Sequence, residues 1–496
     1  MMADFDRNAP VIVGVGEASR RTVPGDWPTP AELAGAAIKS ALADSGCAAA
    51  LASQIDTIAA IRTFEDSGIS MGTGSPDNVP EAFGAAGGIR ATRLIYADVG
   101  GQSPQAMINE LAAAIRHGDI ELAVIVGAEA NGTAKRARKA GMLLDWRQAS
   151  DAAFDNRLSS FPILSRQEIR HGIISMPLAY SLIENARRIG KRLDCTSYAL
   201  EMGELWAEFS QKSLARQHAQ FARTWSAEEL VSEGGGNYRL TDIYRRWNVA
   251  QDAVDLGGAI ILASAGKARE LGVAEDRMIW LAASAEAAEP PLTQRQALDR
   301  SGALDYALAA ALEQAGLAAK DLGPVDIYSC FPCAVFAAVD ALADPARSLG
   351  DFTLTGGLSF FGGPGNGYTL YGLAAMVEAL RKDGTRPALV TANGGVMSKQ
   401  AVGIYTADAP ARPWEGVVAK DYRPAAVDLA DAPSGKGRIL TFTRPFAKDL
   451  AGAATLVLEM ENGVRAMAVL EEAPAIDLAG VTVTVTAQEK RHMATL

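Results

Sequence analysis

The sequence predicts a layered α/β protein built from two copies of one unit, with helices inserted into the first copy and a small all-β region after the second. Three observations predict this fold class. Apolar strands alternate with helices, the same series of elements recurs 270 residues further along, and short alternating strands take over after about residue 414. Strands that alternate with helices are typical of layered α/β folds with mainly parallel sheets.

The first unit shows its elements in a clear order. "VIVGVGEA" predicts a short strand, and "PTPAELAGAAIKSALADSG" predicts a helix with proline before its first turn and Gly46 at its end. "IDTIAAI" then predicts a buried strand. "DVGGQSPQAMINELAAAIRHG" predicts a glycine turn that opens a helix ending at Gly118, and "IELAVIVGAE" predicts the next buried strand.

The second unit repeats this order. "ALADSG" is similar to "ALEQAG", and Asp56 and Asp326 show the same separation of 270 residues. The segment "GGQSPQAMINELAAAIRHGDIELAVIVGAE" recurs in outline as "GGPGNGYTLYGLAAMVEALRKDGTRPALVTANGG". Because element order and spacing agree through four elements, we predict two copies of one unit, over residues 10–128 and 277–406.

The remaining segments complete the expected organisation. The stretch between the copies is rich in helix patterns, and "DLGGAIILASAGKARELG" predicts a strand and a helix that close the first copy. Near the end, Asn462-Gly463 between apolar runs predicts a type I′ hairpin in a barrel-like, OB-like domain. We therefore expect an N-terminal half, a helical loop domain, a C-terminal half and a β-domain, over residues 1–130 with 253–276, 131–252, 277–412 and 413–496.

Composition and charge argue against several classes of protein. A net charge of −11 is unfavourable for a general nucleic-acid binder, which needs a dominant basic face. There is no apolar run of 18 residues, and the acidic segment "MMADFDRNAP" has no apolar signal core, so neither a membrane span nor export is expected. Four cysteines in 496 residues make no disulfide framework, which suits a reducing cytoplasm.

Two of these cysteines, Cys330 and Cys333, stand three residues apart in "DIYSCFPCAVF". A redox pair and half of a zinc site are both open, although the other cysteines and the four histidines show no ligand spacing. Cys333 also fits a buried small apolar residue. Cys330 fits either an inert core residue or a catalytic acid/base or nucleophile at a strand end, where the following helix would favour its thiolate.

Three segments mark where the chemistry is expected: "YSCFPCAVF", "TGGLSFFGGPGNGYTLYG" and "VTANGGVMSK". Together with the duplicated unit, they resemble the thiolase superfamily, and within it the sterol-carrier-protein-2-related branch with an extra C-terminal β-domain. The first segment is similar to the family's His-Asp-Cys-Phe segment and keeps Cys330. The second is similar to its Gly-His-Pro turn, with Gly363 in place of histidine, and the third to its last glycine-rich active turn. In "YADVGGQSPQAM", Gly101 lies at or next to the position of the family's nucleophilic cysteine.

This resemblance implies a duplicated thiolase fold, layered α-β-α-β-α, and coenzyme A as a substrate. We expect a CoA-dependent acyltransferase of lipid or aromatic catabolism that cleaves or forms a β-keto C–C bond to give acetyl-CoA or acyl-CoA. Since glycine replaces the nucleophile and its histidine, CoA would attack without an acyl-enzyme. The alternative is a non-catalytic acyl-CoA-binding protein. The expected partner is an acyl-CoA or a β-keto acid, with no nucleic acid, membrane or metal, and a homodimer remains open.

Four residues are expected to form the catalytic centre. Cys330 would act as acid/base, or itself carry the acyl group. The backbone N–H groups of Gly363 and Gly395 would hold a substrate oxygen, because such donors stabilise a developing oxyanion. Asn366 would hold a catalytic water or a carbonyl oxygen. The alternative for all the glycines is a tight turn with left-handed residues, and Asn393, near Gly395, is expected to be a turn residue.

Three further side chains are candidates near this centre. Ser103 offers a hydroxyl close to the place of the missing cysteine, or else begins the helix as its N-cap. His171, in the insertion, would replace the lost imidazole, or else is a satisfied histidine. Tyr328 would donate a hydrogen bond in the pocket, or simply pack.

Two basic clusters are candidates for the phosphates of CoA, which attract such charges. In thiolases the insertion supplies these groups, whereas the alternative for each cluster is the solvated face of a helix. The cofactor-binding candidates are Lys135, Arg136, Arg138, Lys139, Arg187 and Arg188.

Overall fold

The computed structural model describes residues 6–20, 25–158, 162–221, 223–448, 450–474 and 476–496. Residues 1–5, which begin the acidic N-terminal segment considered above, lie outside the described residues. Within the described ranges, every helix is too short or too polar to cross a membrane.

Ten strands of the described chain form one mixed sheet. These strands are β1 (Pro10–Ser19), β2 (Thr57–Ala60), β3 (Arg93–Tyr96), β4 (Leu122–Ala130), β5 (Asp155–Asn156), β6 (Asp255–Ser264), β7 (Ile279–Ala288), β8 (Val325–Asp326), β9 (Ala388–Gly394) and β10 (Lys399–Thr406). The remaining strands lie near the C-terminal end: β11 (Gly435–Thr443), β12 (Phe446–Ala447), β13 (Leu450–Ala451), β14 (Ala454–Met460), β15 (Arg465–Leu470), β16 (Thr482–Thr486) and β17 (Met493–Thr495).

The α-helices cover both faces of the sheet, and five of those described lie in the insertion. They are α1 (Pro30–Asp44), α2 (Ala48–Ala52), α3 (Val79–Gly87), α4 (Ser103–His117), α5 (Asn131–Lys139), α6 (Arg166–Arg170), α7 (Met176–Gly190), α8 (Cys195–Ser213), α9 (Ala227–Val231), α10 (Ala265–Glu270), α11 (Gly302–Ala315), α12 (Pro332–Leu342), α13 (Gly357–Phe360) and α14 (Thr369–Lys382).

The strand order confirms the duplicated unit. It runs β5-β3-β2-β4-β6-β1-β7-β10-β9-β8, and the halves join where Val11 and Ile12 of β1 pair with Trp280 and Ile279 of β7. Outward from this junction, the first half reads β1-β6-β4-β2 and the second reads β7-β10-β9-β8. Each strand of the second half therefore occupies the position of its counterpart in the first.

The helices divide the fold into layers. Helices α4 and α14 contact each other and strands of both halves, so they form the middle layer. Helix α1 packs on β1, β4 and β6, and α11 packs on β7 and β10. Buried apolar side chains fill the space on each side of the middle layer. The α-β-α-β-α layering predicted from the sequence is confirmed.

The C-terminal strands close into a small barrel in the order β11-β14-β15-β17-β16, with its own apolar core. The predicted hairpin is present between β14 and β15, which pair in antiparallel register. Its predicted type I′ turn is wrong, because such a turn needs two left-handed residues and only Gly463 has positive φ (77°). Asn462 instead accepts a hydrogen bond from the N–H of Val464 through its side chain (3.1 Å).

Strand β5 lies at the outer edge of the first half. Its two residues, Asp155 and Asn156, pair in parallel with Ile95 and Tyr96 of β3. Arg62 donates to the side-chain oxygen of Asn156 at 2.5 Å, which ties the segment to the end of β2. A short piece of the insertion therefore covers the edge of the sheet.

Candidate functional site

The turn before α4 has room only for glycine. A Cβ atom built on Gly101 would lie 2.2 Å from the hydroxyl oxygen of Tyr328 and 2.5 Å from the main-chain oxygen of Asn393, closer than real contacts allow. Gly100, next to it, has φ of +129°, which side chains rarely adopt. The hydroxyl of Tyr328 therefore fills the place that a side chain at position 101 would take.

Cys330 lies beside this turn, in the segment between β8 and α12. It is 7% exposed. Asn393 directs its amide nitrogen at the sulfur (3.6 Å), and the hydroxyl of Tyr180 also hydrogen-bonds the thiol. Burial raises the pKa of the Cys330 thiol to about 12, and the hydrogen bonds from Tyr180, the backbone and Asn393 oppose this only in part. The expectation that the helix start would favour a thiolate is therefore wrong, since burial dominates.

Tyr180 and Asn393 hold the thiol in a common network. The Tyr180 hydroxyl accepts from Asn393 (3.1 Å) and from the N–H of Met397 (3.2 Å), and its one proton has two acceptors within reach, the main-chain oxygen of Gly395 (3.1 Å) and the Cys330 sulfur. Gln400 in turn donates to the side-chain oxygen of Asn393 (3.3 Å). Sequence analysis missed Tyr180, whose signal was a single hydroxyl on an apolar helix face, and gave Asn393 only as a turn residue.

The backbone N–H groups of Gly101 and Gly395 are among those near Cys330 that have no main-chain or side-chain oxygen acceptor among the described residues. Their turns touch, because Gly101 lies against Asn393, two residues before Gly395. Unpaired N–H groups are rare in protein interiors and cost free energy unless a water or ligand accepts from them. A carbonyl oxygen held by such donors beside a protonated thiol could be both polarised and protonated.

Gly363 does not offer the oxyanion donor expected of it. Its N–H donates to the main-chain oxygen of Gln251 at 2.8 Å, and its own oxygen accepts from Gly365 at 2.9 Å. The loop is thus anchored to the segment after the insertion. The physical reason is that a backbone donor in a buried loop pairs with the nearest carbonyl when one lies within reach.

Asn366 is also fully engaged. Its side-chain oxygen accepts from the N–H of Gly100 (3.1 Å), and its amide nitrogen donates to the oxygen of Arg62 (2.8 Å) and the hydroxyl of Ser67 (3.1 Å). The amide holds the glycine loop of the second copy against the Gly100 turn of the first. It shapes the site, and both N–H donors of the side chain are used, so none remains for the carbonyl oxygen expected there.

Ser103 does not serve the centre directly. Its hydroxyl donates backwards to the main-chain oxygen of Asp98 (2.5 Å), and Gln102, not Ser103, is the N-cap of α4. The Ser103 hydroxyl therefore neither takes the place of the missing cysteine nor caps α4, because the short side chain hydrogen-bonds within its own turn.

His171 packs against the barrel. It ends α6, its Nδ1 bonds the main-chain oxygen of Gln167 (2.7 Å), and its Nε2 accepts from the N–H of His492 (3.1 Å). Burial lowers the pKa of the His171 imidazole to about 4, so the ring is neutral. None of its recorded contacts in the described chain is with the Cys330 segment, which leaves the alternative of a satisfied histidine.

Most of the predicted phosphate-binding cations are paired. The ion pairs are Lys135 with Asp252 (2.7 Å), Arg136 with Asp255 (3.0 Å), Arg187 with Asp340, and Arg188 with Asp477 (2.8 Å). Arg188, only 1% exposed, joins α7 to the barrel. Arg138 donates to the main-chain oxygen of Met71, and Lys139 is exposed. Arg138 and Lys139, the last two residues of the first cluster, thus face solvent.

The second cysteine of the pair, Cys333, is completely buried and its thiol is free, as is that of Cys330. The hydroxyl of Tyr244 lies 3.7 Å from its sulfur. In the described part of the chain, no group of three or more histidine, cysteine or acidic side chains comes together as metal ligands. The surroundings of Cys333 are those of a core cysteine.

The fold is similar to that of known structures. A monomeric SCP2-thiolase-like protein type 1 from Mycobacterium smegmatis is 31% identical and aligns over 99% of this chain and 100% of its own, with a TM-score of 0.83. The dimeric peroxisomal thiolase of Saccharomyces cerevisiae (16% identity, 81% of this chain and 98% of its own, TM-score 0.58) shares the fold. So does the Ltp2-ChsH2(DUF35) aldolase (18%, 82% and 99%, TM-score 0.57). No family model and no curated protein matches.

Proposed function

The chain belongs to the SCP2-thiolase-like proteins of type 1, and from that premise we propose that it makes or cleaves a C–C bond next to a carbonyl in an acyl-CoA, without an acyl-enzyme. The thiolase-like fold supports a thiolase-type, acyl-CoA-related function. The observation that carries the proposal is the pair of unpaired N–H groups of Gly101 and Gly395 beside the protonated thiol of Cys330.

In the cleaving direction, the substrate oxygen would accept hydrogen bonds from Gly101 and Gly395. The thiol of CoA would attack the carbonyl carbon directly, because Tyr328 leaves no space for a nucleophilic side chain at position 101. The bond to the neighbouring carbon breaks, and Cys330 gives its proton to the enolate that departs. The proton of the CoA thiol passes to the substrate oxygen during the attack, and from there to the Cys330 thiolate when the tetrahedral adduct collapses, so the protein ends the cycle unchanged. A thiol with a raised pKa suits this task, since it is a weak nucleophile but still a proton donor.

The test is CoA-dependent release of acetyl-CoA from a panel of β-keto acids and β-keto acyl-CoAs, followed by mass spectrometry. Loss of general acid catalysis typically lowers the rate by about 10²–10⁴, so Cys330→Ala should fall by that amount. Cys195→Ala, which removes an exposed thiol of the insertion, is the matched control. Intact-mass spectra should show no acyl group on the protein. A covalent acyl adduct, or undiminished turnover in Cys330→Ala, would refute the scheme.

The phosphates of CoA would bind near the start of the insertion. Arg138 and Lys139 support this proposal, because their charged ends lie at the surface of α5. Arg187 and Arg188 are engaged with carboxylates and are not part of it. The double substitution Arg138→Ala/Lys139→Ala should lower the affinity for acyl-CoA, measured by calorimetry, and change no other property. Unchanged affinity would remove these residues from the phosphate site.

A second candidate function is acyl-CoA binding without turnover. The observation that favours it is the hydroxyl of Tyr328 in the place of a nucleophilic side chain, next to a glycine loop whose Gly363 N–H is already bonded. This function predicts micromolar or tighter binding of acyl-CoA with no product from any substrate of the panel. Detection of CoA-dependent cleavage that Cys330→Ala abolishes would exclude it.

A further inference from the structure

A carboxylate lies buried directly behind the Cys330 segment. Glu184, in the middle of α7, has no exposed surface. It accepts hydrogen bonds from the hydroxyls of Tyr198 (2.5 Å) and Tyr244 (2.6 Å) and from the N–H of Cys333 (2.9 Å). Charged side chains are almost never buried unless they are paired or fully hydrogen-bonded. A carboxylate with three donors is therefore a constructed feature of this interior.

The carboxylate serves the first turn of α12, which begins two residues after Cys330. Helix starts leave N–H groups without helical partners, and a side chain at the N-cap often accepts from them. Here the N-cap is Phe331, which has no acceptor, and Pro332 has no N–H. The first available N–H, that of Cys333, is the one that Glu184 accepts. Glu184 thus supplies from another helix the cap that the local sequence lacks.

The same face of α7 also holds the thiol. Tyr180 lies one turn before Glu184, and residues four apart on a helix share a face. The Tyr180 hydroxyl bonds the Cys330 thiol, and its ring stacks on Phe331 at 4.1 Å between centroids. The ring of Tyr244 covers Phe331 from another direction at 5.2 Å. The Cys330–Cys333 segment is therefore fixed at the thiol, at the aromatic ring and at the helix start.

The negative charge of Glu184 disfavours a thiolate in the Cys330–Cys333 segment. Burial raises the pKa of the Glu184 carboxyl, whereas the hydrogen bonds from Tyr198, Tyr244 and Cys333 lower it. A negative charge at a helix N-terminus offsets the partial positive charge that would otherwise stabilise a thiolate. Consistent with this, burial and then the neighbouring Glu184 raise the pKa of the Cys333 thiol.

We propose that Glu184 is a positioning residue for Cys330. Its carboxylate fixes the start of α12 and so holds the Cys330–Phe331 turn against Tyr180, in the orientation in which the thiol gives up its proton to the substrate. This inference rests on the proposed function, in which Cys330 is the proton donor. Glu184 has no recorded hydrogen bond with the Cys330 thiol or with the N–H groups of Gly101 and Gly395. It acts on Cys330 only through the Cys330–Cys333 segment, whose last N–H it accepts.

The test is Glu184→Gln, which keeps the shape but turns one acceptor oxygen into an NH₂ group facing a donor. We expect kcat to fall by about tenfold or more, within the range lost when a general acid is misplaced, while the Kd for acyl-CoA stays unchanged. The S–H stretching band of Cys330, isolated by difference from Cys330→Ala, should shift because its bond to Tyr180 changes. Glu204→Gln, an exposed glutamate of α8, should alter neither.

The infrared band separates this inference from the proposed function. A folded Glu184→Gln protein with an unchanged Cys330 band and unchanged kcat would overturn the positioning role. If the Cys330 band shifts in Glu184→Gln but the wild-type protein turns over no substrate, the positioning role is supported and the proposed function is refuted. If Glu184→Gln does not fold, Tyr198→Phe removes one hydrogen bond and keeps the carboxylate. An unshifted Cys330 band in that variant would equally overturn the inference.

Discussion

The crowded turn at Gly101 gives a quantitative prediction for Gly101→Ala. The new Cβ would stand 2.2 Å from the Tyr328 hydroxyl and 2.5 Å from the main-chain oxygen of Asn393, whereas real Cβ contacts essentially never fall below 3.0 Å. The structure must open by 3.0 − 2.2 = 0.8 Å on one side and 3.0 − 2.5 = 0.5 Å on the other. The Tyr328 ring can tilt, but the Asn393 oxygen belongs to β9. Overpacking of this kind typically costs about 1–3 kcal/mol, and we expect the upper half of that range.

The assay is urea unfolding monitored by circular dichroism, with Gly190→Ala as the control. A Cβ at Gly190 meets nothing closer than 3.8 Å, so that variant should be as stable as the wild type or slightly more so. Tyr328→Ala removes both the hydroxyl oxygen and the ring carbon that lies 2.4 Å from the new Cβ, and should recover about 1 kcal/mol of the Gly101→Ala loss in a double-mutant cycle, through coupling between neighbours. Gly101→Ala with wild-type stability, or without any recovery in the Tyr328→Ala background, would show that Tyr328 does not fill this space.

Two further predictions concern the junction between α7, α6 and the barrel. Arg188→Met should lower the free energy of unfolding by about 1–3 kcal/mol, because it removes the hydrogen bonds of a buried guanidinium, whereas Asp477 is 41% exposed and keeps part of its hydration. The exposed pair of Arg438 should contribute under about 1 kcal/mol in the matched Arg438→Met variant. Equal losses in the two would contradict this. The pKa of His171 is lowered to about 4 by burial, and that of His492 is also lowered, so both rings are neutral in the folded protein. The unfolded chain takes up protons first as pH falls, so this stability is present above about pH 6.5 and is lost toward pH 4, by about 2 kcal/mol for His171 between pH 7 and 5. Urea midpoints measured at both pH values should converge in His171→Gln, and an unchanged pH dependence in that variant would count against the assignment.

Much of the scaffold could be predicted because its signals are local. Proline and glycine mark the ends of α1 and α4, and the structure starts these helices at Pro30 and Ser103 and ends the second before Gly118. The duplication was visible because equivalent strands keep their spacing, as Asp56 and Asp326 show. Cys330 was recognisable from the segment around it, although its protonation state depends on burial, which a short motif does not encode.

The parts that failed depend on partners distant in sequence. The Gly363 N–H finds Gln251, and the Asn366 amide finds Gly100, 266 residues away. A glycine-rich sequence indicates that other backbone can approach closely, but it does not indicate which carbonyl oxygen will accept from the loop's N–H groups. In the second basic cluster, Arg188 likewise pairs with a carboxylate 289 residues further along the chain. Hydrogen bonds of this kind follow from the completed packing, and only the folded chain reveals them.

The short strand β5 has a consequence for how these molecules meet each other. An exposed sheet edge presents unpaired N–H and C=O groups on which another polypeptide can add a strand. Here Asp155 and Asn156 already pair with the end of β3, and Arg157 binds Glu110 just beyond them. A second chain could extend the sheet at β3 only after peeling this segment away and separating its charged anchors. Two residues of the insertion thus block this edge of the ten-stranded sheet, which disfavours both fibre formation and strand exchange between two molecules there.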